Sequence, residues 1–410
     1  MNDEIRINGE RLVADIAALA RIGGTPQGGV NRPAYSDADV AARQRVREMM
    51  EAAGLTVRVD AAGNTFGARQ GKNANARTLV IGSHTDTVPD GGRFDGALGV
   101  LAAIEVARTL RENDLTLDHP LEVVDFQNEE GGLVGSRIVA GRLSDDQLDL
   151  RATSGFTLRD GIDRLGGDSS TVSQARREPG SVAGYLELHI EQGRNVEQAG
   201  AQIGVVQGLV GIRYWEVTFE GVASHAGTTP MLDRKDALVA AARFVDVVNT
   251  VVRSRPGRHV GTVGKLAVFP GGANVIPGKV VLTLELRDLD PAVTTALFDE
   301  IERNGRSIAA STGTGFAAVP THTNDPSPTH PVVQQAVRDA AKALGLKTHD
   351  LPSGAGHDAQ NMAVLCPSGM IFVPSVEGIS HSPRERTDDR DVINGANVLL
   401  GALVRMDGVL

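Results

Sequence analysis

The stretch "TLVIGSHTDTVPDGGRFDGALGVLAAIEVARTL", residues 78–110, decides the fold. It opens on a short apolar run, 78–81, that reads as a buried strand. It closes on a longer apolar run, 97–110, of helical length. Between them lies a loop holding His84, Asp86 and Asp95 among glycines. A strand that leads through a polar loop into a helix is half of an α/β unit. In open α/β sheets such loops, at the carboxyl ends of the strands, line the ligand crevice.

The same texture extends outward. Residues 36–54 predict a helix with a Ser cap and a closing Gly, and 56–71 two short strands around a turn. "PLEVVDFQNEEGG" (120–132) and "SVAGYLELHIEQG" (181–193) read as buried strands that end in polar residues. A helix is expected from 172 onward. Strands alternating with helices argue for a sheet covered on both faces. Near residue 212 the pattern changes. In "RYWEVTFEGVASH" (213–225) Trp215, Val217 and Phe219 alternate with Tyr214, Glu216, Thr218 and Glu220, the signature of a sheet with one solvated face. A helix at 233–253, with Leu238, Ala241, Val245, Val248 and Val252 on one face, two strands within 259–290 and a helix at 291–310 complete a β-α-β-β-α-β-like block. The Pro- and Thr-rich "VPTHTNDPSPTH" (319–330) reads as its closing linker. The α/β texture then returns, with helices at 331–345 and 358–366 and a strand at 369–375. The expected organisation is a discontinuous α/β domain, 1–211 and 326–410, interrupted by an α+β domain at 212–325.

Composition narrows the function. Charged residues make up 22% of the 410 and hydrophobic residues 41%, as in an ordinary globular protein. The net charge of −10, with no dense Lys/Arg block, argues against a nucleic-acid partner. No run approaches eighteen apolar residues, so no membrane span is expected. The N-terminus is acidic and amphipathic, unlike a secretory signal. The one cysteine, Cys366, cannot form an intrachain disulfide, which fits a reducing, cytoplasmic compartment.

Several strands thus end in metal-ligand types: His84, then Glu129 and Glu130, then His189. Asp95 precedes a helix and His381 follows the strand at 369–375. Imidazole with carboxylate and no thiolate suits zinc, manganese, cobalt or nickel at a working site rather than a structural zinc. Each residue also has a plainer reading. Asp95 before a helix can be only an N-cap, and paired glutamates after a strand are usually a solvated turn.

The motifs "GSHTDTVPDGGRFDGALGV", "EVVDFQNEEG", "LELHIEQG", "SHAGTTPM", "GGANVIPG", "SGAGHDAQNMA" and "MIFVPSVEGISHSPRE" occur in this order. They resemble the M20 peptidase-like superfamily, within it the hydantoinase/carbamoylase group of N-carbamoyl-L-amino acid hydrolases, β-ureidopropionases and allantoate amidohydrolases. The resemblance implies a metal-dependent amidohydrolase with two divalent ions per subunit, cleaving the ureido C–N bond of a small carbamoyl substrate. Allantoate hydrolysis, or aminoacylase or dipeptidase activity, is the alternative, and a non-catalytic metal-binding homologue the remote one. It implies that the inserted domain serves as lid and homodimer interface. His84, Asp95 and His189 would hold one ion, with Asp95 bridging to a second held by Glu130 and His381. Asp86 would orient His84, and Glu129 would be the general base. His225 would stabilise the oxyanion, reaching across from the partner subunit. Gln192, Asn274, Arg287, Gly356 and His357 would meet the substrate. Arg287 has a plainer alternative, an ion pair with Glu285 or Asp288. The resemblance also makes Asp95–Gly96 a candidate cis peptide bond. In one respect the chain departs from the pattern. After "NEEG" the family carries a longer, Arg-Phe-containing segment near its active site. Here "NEEGGLVGSRIVAG" is shorter, so pocket shape and substrate are where this chain would differ.

Overall fold

The computed structural model describes residues 5–410; the first four residues of the expected discontinuous domain lie outside them. The chain divides into two compact units. One comprises the residues up to Gly208 with Pro328–Leu410, the other Leu209–Ser327.

The first leg of the larger unit carries α1 (Gly9–Leu19), α2 (Asp37–Ala52), β1 (Thr56–Val59), β2 (Thr65–Arg69) and β3 (Thr78–His84). It continues through α3 (Ala97–Glu112), β4 (Leu121–Phe126), α4 (Val134–Val139), α5 (Leu158–Arg164), β5 (Val182–Ile190), α6 (Asn195–Gln198) and β6 (Ile203–Leu209). The smaller unit follows, with β7 (Gly211–Glu220), β8 (Ser224–His225), α7 (Ala237–Ser254), β9 (Val260–Phe269), β10 (Val275–Ile276), β11 (Lys279–Asp288), α8 (Pro291–Thr312) and β12 (Gly315–Asn324). The chain then returns with β13 (Ser327–Pro328), α9 (Pro331–Ala343), β14 (Thr348–Ser353), α10 (Asp358–Met362), β15 (Ser368–Val373) and α11 (Asp389–Asp407).

The larger sheet has the order β1-β2-β4-β3-β5-β15-β6-β13, with β14 paired to β6. Its centre, β4-β3-β5-β15, is parallel. Every residue of β5 is buried, and Leu79, Val80 and Ile81 of β3 are buried in succession. Neighbouring side chains on a strand point to opposite faces, so both faces are covered. Side chains from α1, α2, α3, α9 and α11 join one face in a continuous aliphatic core. A smaller core gathers α4 and α5 around Tyr35.

The smaller unit holds a four-stranded antiparallel sheet, β12-β7-β11-β9. Trp215, Val217 and Phe219 of β7 and Val280, Leu282, Leu284 and Leu286 of β11 face α7 and α8, as the alternation predicts. The α7 face is rotated from the expected one. Ala237, Ala240, Ala241, Phe244, Val248 and Val251 are buried while Leu238 is exposed, because Phe244 must reach Phe219 and Phe316.

Three local expectations fail. The supposed linker at 319–330 begins inside β12. As an edge strand, β12 tolerates Pro320, which has no N–H to donate, through a register shift between Pro320 and His322. The helix from 172 is a single 3-10 turn, Val172–Ala175. The helix at 358–366 stops at Met362.

Aromatic residues are scarce, and three of them meet in the smaller unit. Phe219 lies with its ring centroid 5.6 Å from Phe244 and 5.2 Å from Phe316. Phe219→Ala should cost about 3–5 kcal/mol, as buried aromatic truncations do. A denaturation midpoint unchanged from that of the natural sequence would contradict this packing.

Candidate metal centre

Because β4, β3, β5 and β15 run parallel, their carboxyl ends share one rim. His84 is the last residue of β3, and His189 the penultimate residue of β5. Glu129 and Glu130 follow β4, and His381 lies in the loop after β15. The chain from β3 to α3 turns back at Gly96, with φ 63° and ψ −49°, before the helix begins. A Cβ at Gly96 would overlap the His84 ring, so only glycine brings Asp95 to this position. Among the described residues the one cis peptide bond is Phe269–Pro270. The candidate at Asp95–Gly96 is thus overturned, and the turn is made by a positive φ instead.

Asp95 stands at the centre. Its Oδ1 lies 3.6 Å from His84 Nε2 and 3.2 Å from His189 Nε2. Its Oδ2 lies 3.4 Å from His381 Nε2, which is 3.5 Å from Glu130 Oε2. Two groups with ligand spacing, His84–Asp95–His189 and Asp95–Glu130–His381, therefore share one carboxylate. Glu129 Oε2 is 3.6 Å from His84 Nε2. The Gln192 amide donates to Asp95 Oδ2 at 2.8 Å.

The residues fit divalent cations on three counts. His84 Nδ1 is 3.0 Å from the Asp86 carbonyl, and His189 Nδ1 is 2.9 Å from the Ile190 carbonyl. Each carbonyl takes the Nδ1 proton and leaves Nε2 turned inward, as in metal-binding histidines. Glu130 Oε1 is buried without a hydrogen-bond partner. The third count is charge. Burial and then Glu130 push Glu129 well above the usual carboxylate range, and burial and then Asp95 raise Glu130 to about 8. Burial disfavours a charged His189, yet its bond to Asp95 raises it to about 9; the bond to Asp95 raises His381 to about 9 as well. Burial lowers His84 to about 3. Asp95, although buried, is held low by His189 and His381. Protons collect where the buried carboxylates demand positive charge, which is what a cation supplies.

Asp86 meets His84 through its backbone carbonyl, and its carboxylate has a second task. Its carboxylate oxygen is 3.7 Å from His84 Nδ1, while its two oxygens accept the Glu129 and Glu130 backbone N–H groups at 3.1 and 3.2 Å. It aims the glutamate pair. His357 is buried with its ring centroid 4.5 Å from that of His189, and neither of its nitrogens has a hydrogen-bond partner. Gly356 precedes it, with Gln360 and Leu133 as its near neighbours. A further group of ligand spacing, Glu187–His189–His357, exists. There Glu187 already accepts from the Ser83 and Tyr185 hydroxyls and the Ala359 N–H.

Three expected residues belong to the smaller unit. His225 pairs with Val275 across β8 and β10, and just beyond that pair Ala226 N–H donates to the Asn274 carbonyl. His225 Nδ1 accepts from the Gly227 and Thr228 N–H groups, so its proton resides on the exposed Nε2. Arg287 Nε donates to Glu285 at 2.6 Å, the ion pair of the plainer reading.

Sequence reasoning missed the support behind the centre. Arg43 is fully buried on α2. It pairs with Asp39 at 3.1 Å and Asp125 at 3.2 Å, lies 4.0 Å from Asp86, and donates to the Asp125 and Phe126 carbonyls. Arg32, also buried, donates to the Thr85 carbonyl at 2.7 Å. The available signal was an arginine four residues after an aspartate on a face otherwise occupied by Ala42, Val46 and Met50.

A profile of the Peptidase family M20/M25/M40 matches residues 80–405. The chain belongs to this family. An N-carbamoyl-L-amino acid amidohydrolase of Geobacillus stearothermophilus is 42% identical over 96% of the chain and 97% of its own length. An allantoate deiminase of Arabidopsis thaliana is 34% identical over 88% of the chain and 76% of its length. A crystal structure of a hydantoinase/carbamoylase family amidase from Burkholderia multivorans superposes with a TM-score of 0.90. It is 39% identical and covers 98% of both chains. M20 family members of this kind are metal-dependent hydrolases of C–N bonds. Among the described residues no helix is long and apolar enough to cross a membrane.

Arg43→Met would leave Asp39 and Asp125 buried without their cation. A loss of about 3–5 kcal/mol is expected, as for one broken half of a buried ion pair. Urea denaturation measures it, and a variant as stable as the natural sequence would show that the network carries no such demand.

Proposed function

We propose that this M20 protein hydrolyses the ureido C–N bond of N-carbamoyl-L-amino acids, giving the amino acid, ammonia and carbon dioxide. The observation that carries the reading is Asp95. One buried carboxylate is shared by two imidazole–carboxylate groups, with Glu129 beside them. The relatives named as carbamoyl amino acid amidohydrolases align along nearly the whole chain.

His84, Asp95 and His189 would hold one divalent ion, and Asp95, Glu130 and His381 a second. The nitrogen and oxygen donors suit zinc, manganese, cobalt or nickel. Bound there, such ions lower the pKa of water towards about 7 and polarise a carbonyl. Glu129 takes the proton of the attacking water and returns it to the leaving nitrogen. Asp86 holds the backbone of both glutamates, and so the direction of Glu129. Gln192, Gly356 and His357 are proposed to meet the substrate beside the metals.

The roles proposed for the smaller unit rest on the family resemblance. His225 presents an Nε2–H, the donor an oxyanion needs. Asn274 beside it adds an amide. Arg287 offers a planar fork for the α-carboxylate, and would have to exchange Glu285 for it. A homodimer formed through this unit is part of the proposal, as is a cytoplasmic location, with Cys366 buried and unpaired. Sedimentation at micromolar concentration tests the dimer.

Ammonia release on a panel of N-carbamoyl-L-amino acids, N-carbamoyl-β-alanine, allantoate and N-acetyl amino acids tests the substrate. Turnover of the first class, abolished by a chelator and restored by metal, is expected. Turnover of allantoate alone would move the protein to the reaction of its plant relative. Glu129→Gln should retain metal and lose about two to four orders of magnitude in kcat, the range for a lost general base. Near-normal kcat would remove Glu129 from the mechanism.

A further inference from the structure

Glu385 lies four residues after His381 and is 4% exposed. Its Oε1 accepts two consecutive backbone N–H groups, Phe94 at 2.9 Å and Asp95 at 3.1 Å. Its Oε2 lies 3.0 Å from Ser380 Oγ, and the same hydroxyl lies 3.0 Å from Asp95 Oδ2. A hydroxyl has one hydrogen, so Ser380 donates to one of these carboxylates at a time. A chain of contacts thus runs from the loop before α3, through Glu385 and Ser380, into the loop that carries His381.

The space for this contact is built into the sequence. A Cβ at Gly92 would overlap the Glu385 carboxylate, so the loop is bare of side chain where the carboxylate enters. Nearby, Val30 N–H donates to the Gly91 carbonyl, and a Cβ at Gly29 would lie 3.0 Å from Pro383. The three segments fit without slack. Glu385 belongs to none of the groups with ligand spacing among the described residues. Its Oε1 is engaged by two backbone donors, and its Oε2 shares the Ser380 hydroxyl with Asp95.

We infer that Glu385 is a positioning residue. It clamps the backbone of Asp95 to the loop of His381, so that Asp95 Oδ2 and His381 Nε2 face one cation 3.4 Å apart. The inference rests on the reading of Asp95 and His381 as ligands. Gln192 and Ser380 also touch Asp95 Oδ2, but Glu385 is the group that holds the backbone of Asp95 itself, and an ion's affinity depends on ligands being placed before it arrives. Hydrogen-bond acceptance, not ligation, is the function of this carboxylate.

The test is equilibrium dialysis of the full chain, stripped of metal and titrated with manganese, with bound metal measured by mass spectrometry. His381→Ala should lose one of the ions. Glu385→Ala should weaken one ion by about 10–100-fold, the range for lost outer partners of ligands, while the metal-free protein melts as the natural sequence does. Glu385→Gln should bind metal nearly normally, because its amide oxygen still accepts both N–H groups and its nitrogen can donate to Ser380. Unaltered affinity in Glu385→Ala overturns the inference. Equal loss in Glu385→Gln overturns it too, by making charge the operative property. A fall in metal-free melting that accounts for the whole loss reduces Glu385 to a fold contact. Unchanged metal in His381→Ala removes the ligand reading itself, a separate failure. Should Glu385→Ala not fold, Glu385→Asp, one methylene short of both N–H groups, stands in with the same expected and overturning results.

Discussion

A guanidinium without water is the constraint on which the larger unit depends. Arg43 reaches from α2 under the ends of β3 and β4 and meets Asp39, Asp125 and Asp86 with all four side chains buried. Burial raises Asp39, and raises Asp125 to about 6, in both cases against the pull of Arg43. None of these acids would tolerate its place without the cation. Through Asp86 the same charge reaches the backbone of Glu129 and Glu130, and through the Asp125 and Phe126 carbonyls it fixes the strand that delivers them. The rim is a surface held up by an ionic interior, and aliphatic packing begins only beyond it.

That arrangement explains what was legible in the sequence. The strand ends could be read because the apolar run Leu79–Ile81 turns polar at His84, and because Leu186, Leu188 and Ile190 alternate with Glu187 and His189 up to the polar Gln192. Ligand types at those ends stand out against an apolar background. Arg43 did not stand out, because an arginine on a helix otherwise rich in surface charge reads as solvated, and only the tertiary contact with Asp125, 82 residues away, shows otherwise. The second task of Asp86 was hidden for a related reason, since its carboxylate meets the Glu129 and Glu130 N–H groups 43 and 44 residues away. Pro320 misled the reading of the smaller unit, since proline marks linkers and edge strands alike.

The two units solve folding with different materials. In the larger one, charges buried in pairs set the geometry near the rim, and Gly96 and Gly92 clear the room for His84 and Glu385. In the smaller one the core is aliphatic, with Phe219, Phe244 and Phe316 together and Trp215 stacked on Phe298 at 4.2 Å. Its short strand β8 ends in His225, which is oriented by two backbone N–H groups rather than by burial.

The order of the central strands has a consequence for synthesis. β5 and β15 are neighbours in the sheet, yet the whole smaller unit lies between them in the chain. A ribosome delivers the smaller unit complete before it delivers β15, and contiguous units fold as they emerge. The pairing that closes the larger sheet is therefore among the last events, a long-range step of the slow kind. His381 and Glu385 arrive later still. On the proposed ligand assignment, a nascent chain would display His84, Asp95, Glu130 and His189 before it had His381. Tight capture of metal would then wait until the polypeptide is nearly finished, a timing set by the strand order rather than by any one residue.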